Sequence, residues 1–437
     1  MKTNLTTQNW ATLDEAARRR ALQRPAQDSQ GDIIADARDI IAMVRAEGDT
    51  ALRRLTRRFD GAQLEQLRVD THEFAAAHAA LSSPQHTAIR RAIENVRRFH
   101  AAQELAELDV ETSPGVRCQR VTRAIAAVGL YVPSGSAPLP SAVIMSAVPA
   151  QLAGCPQRVL CTPPQRDGRA NAAILVAAEL CDVHTVFKVG GAQAIAALAY
   201  GTQSVPKVDK IFGPGNAWVT AAKQLVAADP AGAALDLPAG PSEVMVIADA
   251  TARADFVAAD LLAQAEHDPM SQSILLIDSA DLAAAVLAQI DQQLTKRLRR
   301  TILLQSLKQS RILITDSIAT AVEIANDYAP EHLILQVDNA RSWLERIRNA
   351  GSVFLGPWTP EPMGDYCSGT NHVLPTYGYA RAYSGLSLLD FSKRMTVQEL
   401  TPAGLSDLGP TAIELAELEG LDAHAHAVAI RLDALHR

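Results

Sequence analysis

Apolar residues follow two different spacings along this chain of 437 residues. Between positions 12 and 106 they recur every three or four residues, with arginines on the other side, which predicts amphipathic helices. From position 124 onwards, short apolar runs typical of buried strands alternate with helical segments. Such alternation is characteristic of a parallel sheet with helices on both faces. Because it occurs once before and once after Ser242, we predict an α/β protein with two similar units in tandem.

These patterns divide the chain into four segments. Residues 1–120 are predicted to form a mainly helical N-terminal region, and residues 121–243 and 244–380 to form the two α/β domains. Residues 381–437 are predicted to form a small helical tail. Within the second domain, residues 356–378 form a loop rich in glycine, proline and polar side chains. A loop of this length is more often functional than disordered.

Composition narrows the class of protein. Hydrophobic residues make up 48% of the chain and charged residues 20%, which fits a soluble globular protein. The net charge of -7, without a concentrated basic stripe, disfavours nucleic acid as a partner. No apolar run is long enough to cross a bilayer, and the first 30 residues lack an apolar signal core, so we expect a cytoplasmic protein without membrane association. The five cysteines show no CxxC pairing and are expected to be free thiols.

A carboxylate and an imidazole lie side by side at Glu331 and His332, where a predicted helix gives way to a predicted strand. Pro330 has no backbone donor and disfavours helix at Ala329, so the helix must end here. Both side chains can then reach one cleft at the mouth of the strand. Two proton-transfer groups with different ordinary pKa values suit stepwise acid–base chemistry. The alternative is a solvated pair at a strand edge.

A candidate metal site begins at the end of another predicted helix. Gln264 and His267 are three residues apart and share one face of that helix. Two neutral ligands leave the charge of a divalent cation uncompensated, and Asp365 in the polar loop is a candidate for the missing carboxylate. A further imidazole could come from His424 or His426 in the tail. Nitrogen and oxygen donors of this kind suit zinc.

Three glycine-rich turns are candidate anion-binding cradles, since a turn before a helix N-terminus presents free N–H groups. None of them has the G-x-G-x-x-G spacing of a dinucleotide fingerprint, so ordinary turns are an equally good interpretation. The turns are Gly190-Gly191, Gly213-Pro214-Gly215-Asn216 and Gly240-Pro241-Ser242.

Taken together, the motifs resemble the histidinol dehydrogenase family nearly from end to end. Many long motifs in the same order are more specific than any one of them. They lie at residues 47–52, 129–133, 190–201, 213–216, 239–243, 264–267, 329–333, 364–375 and 423–428.

The resemblance implies a fold and a reaction. The fold is two tandem Rossmann-like parallel-sheet domains with a helical N-terminal region and a helical C-terminal tail. Residues 121–243 would lie on the NAD side, and residues 244–380 would carry the catalytic and metal residues. The tail would reach the partner subunit of a domain-swapped homodimer. The reaction is the NAD-dependent oxidation of L-histidinol through L-histidinaldehyde to L-histidine, with zinc anchoring the substrate. A paralogue that oxidises another small diol or amino alcohol is the alternative.

The resemblance also implies a role for individual residues. The proton-transfer pair would be Glu331 and His332. Contacts to NAD would come from Tyr131, Gln193 and Asn216. The zinc ligands would be Gln264, His267, Asp365 and His424, the last supplied across the dimer interface. The substrate-binding residues would be Ser242, Gln264, His267, His332, Asp365, His372, Glu419 and His424.

Overall fold

Two parallel sheets and one antiparallel sheet organise the chain. The computed structural model describes residues 5–25, 30–104, 106–134, 137–238 and 240–437. Ala239, which belongs to one of the sequence motifs above, lies outside the described residues. None of the helices described is both long and apolar enough to pass through a bilayer.

The described part of the N-terminal region begins with a short strand, continues with five α-helices and then changes to strands. Its last helix begins with a capping box, in which the side chains of Ser82 and Gln85 satisfy backbone N–H groups of the first turn. Two strands follow within the segment 1–120 for which helices were predicted. The elements are β1 (Thr6–Asn9), α1 (Glu15–Ala21), α2 (Gln30–Glu47), α3 (Asp49–Phe59), α4 (Thr71–Ala80), α5 (Ser83–Ala101), β2 (Leu108–Ser113) and β3 (Val116–Ala124).

The first α/β unit has five parallel strands connected by four helices. Its elements are β4 (Ala127–Tyr131), α6 (Pro140–Leu152), β5 (Gln157–Thr162), α7 (Ala172–Leu180), β6 (Thr185–Lys188), α8 (Gly191–Tyr200), β7 (Lys210–Phe212), α9 (Ala217–Ala227) and β8 (Ala234–Leu235). The strand order is β6-β5-β4-β7-β8, so the direction of winding reverses between β4 and β7. This is the doubly wound order of a Rossmann-like sheet.

The second unit repeats this order. Its elements are β9 (Glu243–Ala248), α10 (Ala254–Ala265), β10 (Gln272–Ile277), α11 (Ala280–Leu294), α12 (Arg300–Ser306), β11 (Arg311–Ile314), α13 (Ile318–Tyr328), β12 (His332–Gln336), β13 (Ser352–Leu355) and α14 (Glu361–Tyr366). Short 3-10 helices lie at Leu307–Gln309 and Ala340–Arg346. The strand order is β1-β11-β10-β9-β12-β13, so the N-terminal strand β1 extends the far edge. Strands β9, β10 and β12 are buried throughout, which fits their continuous apolar sequences.

The C-terminal tail contains a strand as well as two helices. After 3-10 helices at Tyr379–Arg381 and Leu388–Phe391 come β14 (Ser392–Leu400), α15 (Pro402–Leu418) and α16 (Asp422–Leu435). Strand β14 pairs antiparallel with β3, which pairs with β2, and α15 packs against α16.

The prediction of an α/β fold with two tandem Rossmann-like sheets and helical N- and C-terminal regions is therefore confirmed. The two sheets present opposite edges to the candidate residues. Tyr131, Gly191 and Gly213 lie just at or beyond the carboxyl ends of β4, β6 and β7, whereas Glu243 and His332 open β9 and β12. The candidate cofactor residues are thus at the carboxyl edge of the first sheet, and the candidate catalytic pair is at the amino edge of the second.

Candidate active site

The backbone turn between α13 and β12 directs Glu331 and His332 into the protein interior. Helix α13 ends at Tyr328 because Ala329 adopts a left-handed conformation, with φ of 53°, and Pro330 follows it. A non-glycine residue in this conformation costs about 1–2 kcal/mol, so the surrounding structure must hold it in place. The chain then turns directly into β12, which begins at His332.

The acid–base pair is buried, so the interpretation as a solvated pair is wrong. Glu331 is 5% exposed and His332 is 3% exposed. Both are tied to the backbone of Glu243: its N–H donates to Glu331 Oε2 at 2.9 Å, and its carbonyl oxygen lies 3.2 Å from His332 Nδ1. A carbonyl only accepts, so Nδ1 of His332 carries a hydrogen and neutral His332 has its lone pair on Nε2.

The Nε2 atom of His332 has no hydrogen-bond partner and faces two carboxylates. It lies 3.7 Å from Asp365 Oδ1 and 3.9 Å from Glu361 Oε1. Burial lowers the pKa of His332, but the neighbouring carboxylates of Glu331, Asp365 and Glu361 outweigh burial and raise the pKa to about 10. Burial raises the pKa of Glu331 to about 8. A cation held by Asp365 would weaken the field of that carboxylate and lower the pKa of His332.

The predicted metal ligands of the second domain lie close together. His267 Nε2 is 4.0 Å from Asp365 Oδ2. Helix α10, whose last turn carries Gln264, packs against α14, which carries Asp365. Gln264 is fully buried, and neither atom of its amide has a hydrogen-bond partner. Buried amides are normally paired, so an unpaired one beside clustered ligands fits a role in binding a cation.

Sequence reasoning missed Glu361, which belongs to this cluster. One ligand atom each from His267, Glu361 and Asp365 lies within 4.8 Å of the others. Glu361 is 1% exposed, and burial raises its pKa well above the usual range. His332 and His372 hold the pKa of Asp365 well below its usual range in spite of burial. The prediction of a loop over residues 356–378 is wrong at Glu361–Tyr366, which form helix α14 and place Glu361 and Asp365, four residues apart, on one face. The nitrogen and oxygen donors here fit zinc.

Two of the predicted substrate residues border the cluster. His372 Nδ1 donates to the backbone carbonyl of Asp365 at 2.8 Å, and burial lowers the pKa of His372. Ser242 is half-buried and directly precedes Glu243 at the same sheet edge. His372 thus contacts the backbone of a predicted zinc ligand, and Ser242 is next in sequence to the residue that holds the catalytic pair.

Glu419 and His424 lie apart from the other predicted site residues. Glu419 is the C-cap of α15 and His424 is in the first turn of α16, and both are exposed, as is His426. Among the described residues, no side-chain hydrogen bond or ion pair joins Glu419 or His424 to the Asp365 cluster. One chain alone does not bring them together.

The three candidate cofactor residues meet at the carboxyl edge of the first sheet. The hydroxyl of Tyr131 accepts a hydrogen bond of 3.1 Å from the N–H of Gly191, at the start of α8. Gln193 is buried in the first turn of that helix. Asn216 caps α9 by accepting from the N–H of Val219 at 3.1 Å. Dinucleotides bind at this edge in doubly wound sheets, with phosphates against helix N-termini.

The turn after β7 approaches this edge so closely that it requires glycine. Gly213 has a φ of 118°, and a Cβ at this position would lie 2.0 Å from the carbonyl oxygen of Tyr131. The close approach of the two backbone segments therefore explains why this position is glycine, apart from any role of the turn in binding an anion.

Two Rossmann-like sheets, a buried acid–base pair and a cluster of zinc-type ligands define an NAD-dependent, zinc-containing oxidoreductase. The family model for histidinol dehydrogenase matches residues 22–432, so the chain belongs to the histidinol dehydrogenase family. The family resemblance and the prediction of an NAD- and zinc-dependent enzyme are confirmed.

Individual relatives match over nearly their full length. The histidinol dehydrogenase of Vibrio vulnificus (strain YJ016) is 54% identical over 426 residues, which cover 98% of each chain. That of Yersinia pestis is 52% identical and covers 98% of this chain and 96% of its own. The crystal structure of histidinol dehydrogenase from Elizabethkingia anophelis superimposes with a TM-score of 0.94 at 46% identity, over 100% of both chains.

Proposed function

We propose that this protein oxidises L-histidinol through L-histidinaldehyde to L-histidine, using two NAD⁺. The observation that carries the proposal is the buried Glu331–His332 pair beside the ligand cluster of Gln264, His267 and Asp365. The full-length relatives all carry the same name, which does not favour a paralogue with another substrate. Without a membrane-spanning helix among the described residues, and with this biosynthetic role, we expect the enzyme in the cytoplasm.

His332 acts as the base of the first oxidation. Its Nδ1 is committed to the carbonyl of Glu243, so Nε2 is the atom that removes the hydroxyl proton of the alcohol. NAD⁺, when bound, accepts the hydride that leaves the same carbon in each oxidation. The products of the first oxidation are then the aldehyde, NADH and a proton held by His332.

Glu331 acts in the second oxidation. Its Oε2 is occupied by the N–H of Glu243, so Oε1 is the atom that removes a proton from the water that hydrates the aldehyde. The proton held on His332 Nε2 passes to the aldehyde oxygen as the water adds, so the hydrate forms and His332 is neutral again. His332 Nε2 then removes one hydroxyl proton of the hydrate as the second hydride leaves, which gives the carboxylic acid, and this acid loses its remaining proton to solvent. Because burial raises the pKa of Glu331 to about 8, this step should accelerate as the pH rises through that value.

The zinc would be held by Gln264, His267, Asp365 and His424 of the partner subunit. When bound, it supplies an anchor for the imidazole and amine of the substrate, and so orients the reacting carbon towards His332. Ser242, His372 and Glu419 would complete the substrate contacts, and Tyr131, Gln193 and Asn216 those to NAD. The Gln264 amide and the Glu361 carboxyl both contain buried oxygens without a hydrogen-bond partner, which supports a cation at this point.

A homodimer would explain the position of Glu419 and His424. Both lie on the exposed α15–α16 hairpin, which also exposes large apolar side chains at Leu415, Leu418 and Ile430. Exposed apolar patches commonly mark association surfaces. A hairpin that reaches into a second copy would bury this surface and carry the two polar residues to the other active site.

Turnover of L-histidinol tests the reaction. Wild-type protein should release two NADH per L-histidinol, and a chelator should remove the activity. His332→Asn should abolish the first oxidation, whereas Glu331→Gln should mainly slow the oxidation of supplied L-histidinaldehyde. Absence of zinc-dependent NADH formation from L-histidinol would reject the proposal.

Mixing two inactive variants tests the shared site. In a heterodimer of His424→Ala with His332→Asn, one site is intact only if His424 is supplied by the partner. Random exchange makes half of the dimers heterodimers with one working site of two, so about a quarter of wild-type activity should return. No recovery after confirmed subunit exchange would show that each chain uses its own tail.

A further inference from the structure

Arg24, in the segment after α1, reaches across the protein to the second sheet. Its side chain is 16% exposed and holds the carboxylate of Glu243 with two hydrogen bonds, Nε to Oε2 at 2.7 Å and Nη2 to Oε1 at 3.0 Å. The guanidinium also stacks on the ring of Tyr328, 3.8 Å from its centroid. A planar cation paired in this bidentate way fixes both position and orientation of the carboxylate.

The same arginine also holds the backbone that leads to the catalytic pair. Its Nη2 donates to the carbonyl of Tyr328 at 2.9 Å and to that of Ala329 at 3.4 Å. Ala329 is the residue held in the left-handed conformation at the end of α13. The hydroxyl of Tyr328 donates to the Glu243 carboxylate at 2.8 Å, so Arg24, Glu243 and Tyr328 each contact the other two.

Glu243 connects Arg24 to both members of the pair. Its side chain is bound by Arg24, whereas its backbone N–H holds Glu331 and its backbone carbonyl holds His332 Nδ1. A shift of the Glu243 backbone would therefore turn the His332 ring and release the Glu331 carboxylate together. No other described side chain reaches Glu243 from the N-terminal region with an ion pair.

We propose that Arg24 is a positioning residue for the catalytic pair, acting through Glu243 and through the carbonyls of Tyr328 and Ala329. This inference rests on the proposed function, because it assigns Arg24 to the acid–base steps of that reaction. Arg24 contacts the Glu243 carboxylate and the backbone around it, and its effect on the reaction passes through the orientation of His332 Nε2 and Glu331 Oε1.

The test is the steady-state kinetics of Arg24→Met with L-histidinol and with L-histidinaldehyde. We expect kcat to fall about 10- to 100-fold for both substrates, since small misplacements of reacting groups have effects of this size. KM should change little, because the residues proposed to hold the substrate are untouched. A purely structural link would lower the melting temperature but leave kcat per folded protein unchanged. The assay is therefore run well below the melting temperature of each variant.

A matched control is available in the same segment. Arg18 also donates to a backbone carbonyl, that of Trp10, at 3.3 and 3.2 Å, and its guanidinium lies over the Trp10 ring at 5.1 Å. Arg18→Met removes an arginine with the same kinds of carbonyl and ring contact, but without an ion pair and away from the catalytic pair, so kcat should remain at the wild-type value. A fall in kcat as large as that of Arg24→Met would overturn the inference.

Further variants keep the proposal falsifiable if Arg24→Met does not fold. Arg24→Lys keeps the charge but loses the fork, so its kcat should lie between those of wild type and Arg24→Met. Arg24→Lys should cause a smaller fall in kcat in the Glu243→Gln background than in wild type, since part of its effect passes through the Glu243 carboxylate. A wild-type kcat in Arg24→Lys, or fully additive effects of Arg24→Lys and Glu243→Gln on kcat, would overturn this inference but leave the proposed function standing. A wild-type protein without L-histidinol turnover would overturn the proposed function, and this inference with it.

Discussion

Replacing Gln264 with leucine should make the metal-free protein more stable. Gln264 is 0% exposed, and its Oε1 and Nε2 both lack a hydrogen-bond partner. A buried polar group left unpaired costs about 1–3 kcal/mol. Leucine has a similar size and no polar atoms. We therefore expect Gln264→Leu to raise the free energy of unfolding in chelator by about 2–4 kcal/mol.

The same substitution should remove most of the stabilisation by zinc. A ligand that binds only the folded state, at 100 times its dissociation constant, stabilises that state by about 2.7 kcal/mol. Wild-type protein should gain at least this amount when zinc is added. The variant has lost a neutral ligand at the end of α10 and should gain much less.

Urea unfolding at fixed protein concentration, with chelator and with excess zinc, measures both effects. Gln272→Leu is the matched control, because Gln272 is 2% exposed but its Nε2 donates to the carbonyls of Gln23 and Gln309, and its Oε1 lies 2.6 Å from the hydroxyl of Tyr328, whose one proton it shares with Glu243. That control should lose stability under both conditions. If Gln264→Leu destabilises the metal-free protein, or keeps the full response to zinc, the assignment of the unpaired amide to the metal is refuted.

Three further predictions concern buried carboxylates. Burial raises the pKa of Asp260 to about 6 in the folded protein, so the folded state binds its proton more tightly and stability falls as pH rises from about 4 to 6. Asp260→Asn should remove this loss, which totals about 3 kcal/mol and of which about 2 kcal/mol falls between pH 4.5 and 7.5. The urea midpoints at these two pH values should therefore differ less in the variant than in wild type, and an unchanged difference would contradict this. Glu361→Gln should weaken zinc retention about 10- to 100-fold in a chelator competition, and equal metal content would show that Glu361 does not support the ion. In Glu331→Gln, the rise of aldehyde oxidation through pH 8 should disappear, and its persistence would assign that titration elsewhere.

The buried strands of the two parallel sheets could be predicted from sequence, because a short run of apolar residues is typical of a strand that is buried on both faces. Strands β9, β10 and β12, which are buried throughout, are examples. Exposed strands could not be predicted in this way. Strand β1 is polar, and β2 and β14 are exposed along most of their length. Their formation depends on partners distant in sequence, such as β3 for β14.

In the candidate site, too, some features could be predicted from the sequence and others could not. Pro330 was sufficient to place Glu331 and His332 at the mouth of a strand. Their burial was not predictable, because Glu243 and Asp365, which surround them, come from distant segments of the chain. The placement of His424 beside the other ligands stays a prediction, since it depends on a second subunit. The three boundaries between the four predicted segments also stay predictions.

The position of β1 has a consequence for how the chain is made. Thr6–Asn9 pair in parallel with Arg311–Ile314, roughly 300 residues later in the sequence. At about 5–20 residues per second, a ribosome needs about 15–60 s to synthesise the missing partner. During that interval Thr6–Asn9 lack this partner strand, while the first sheet can already assemble. A large fusion partner at the amino terminus should therefore impair yield more than the same partner at an internal loop tip.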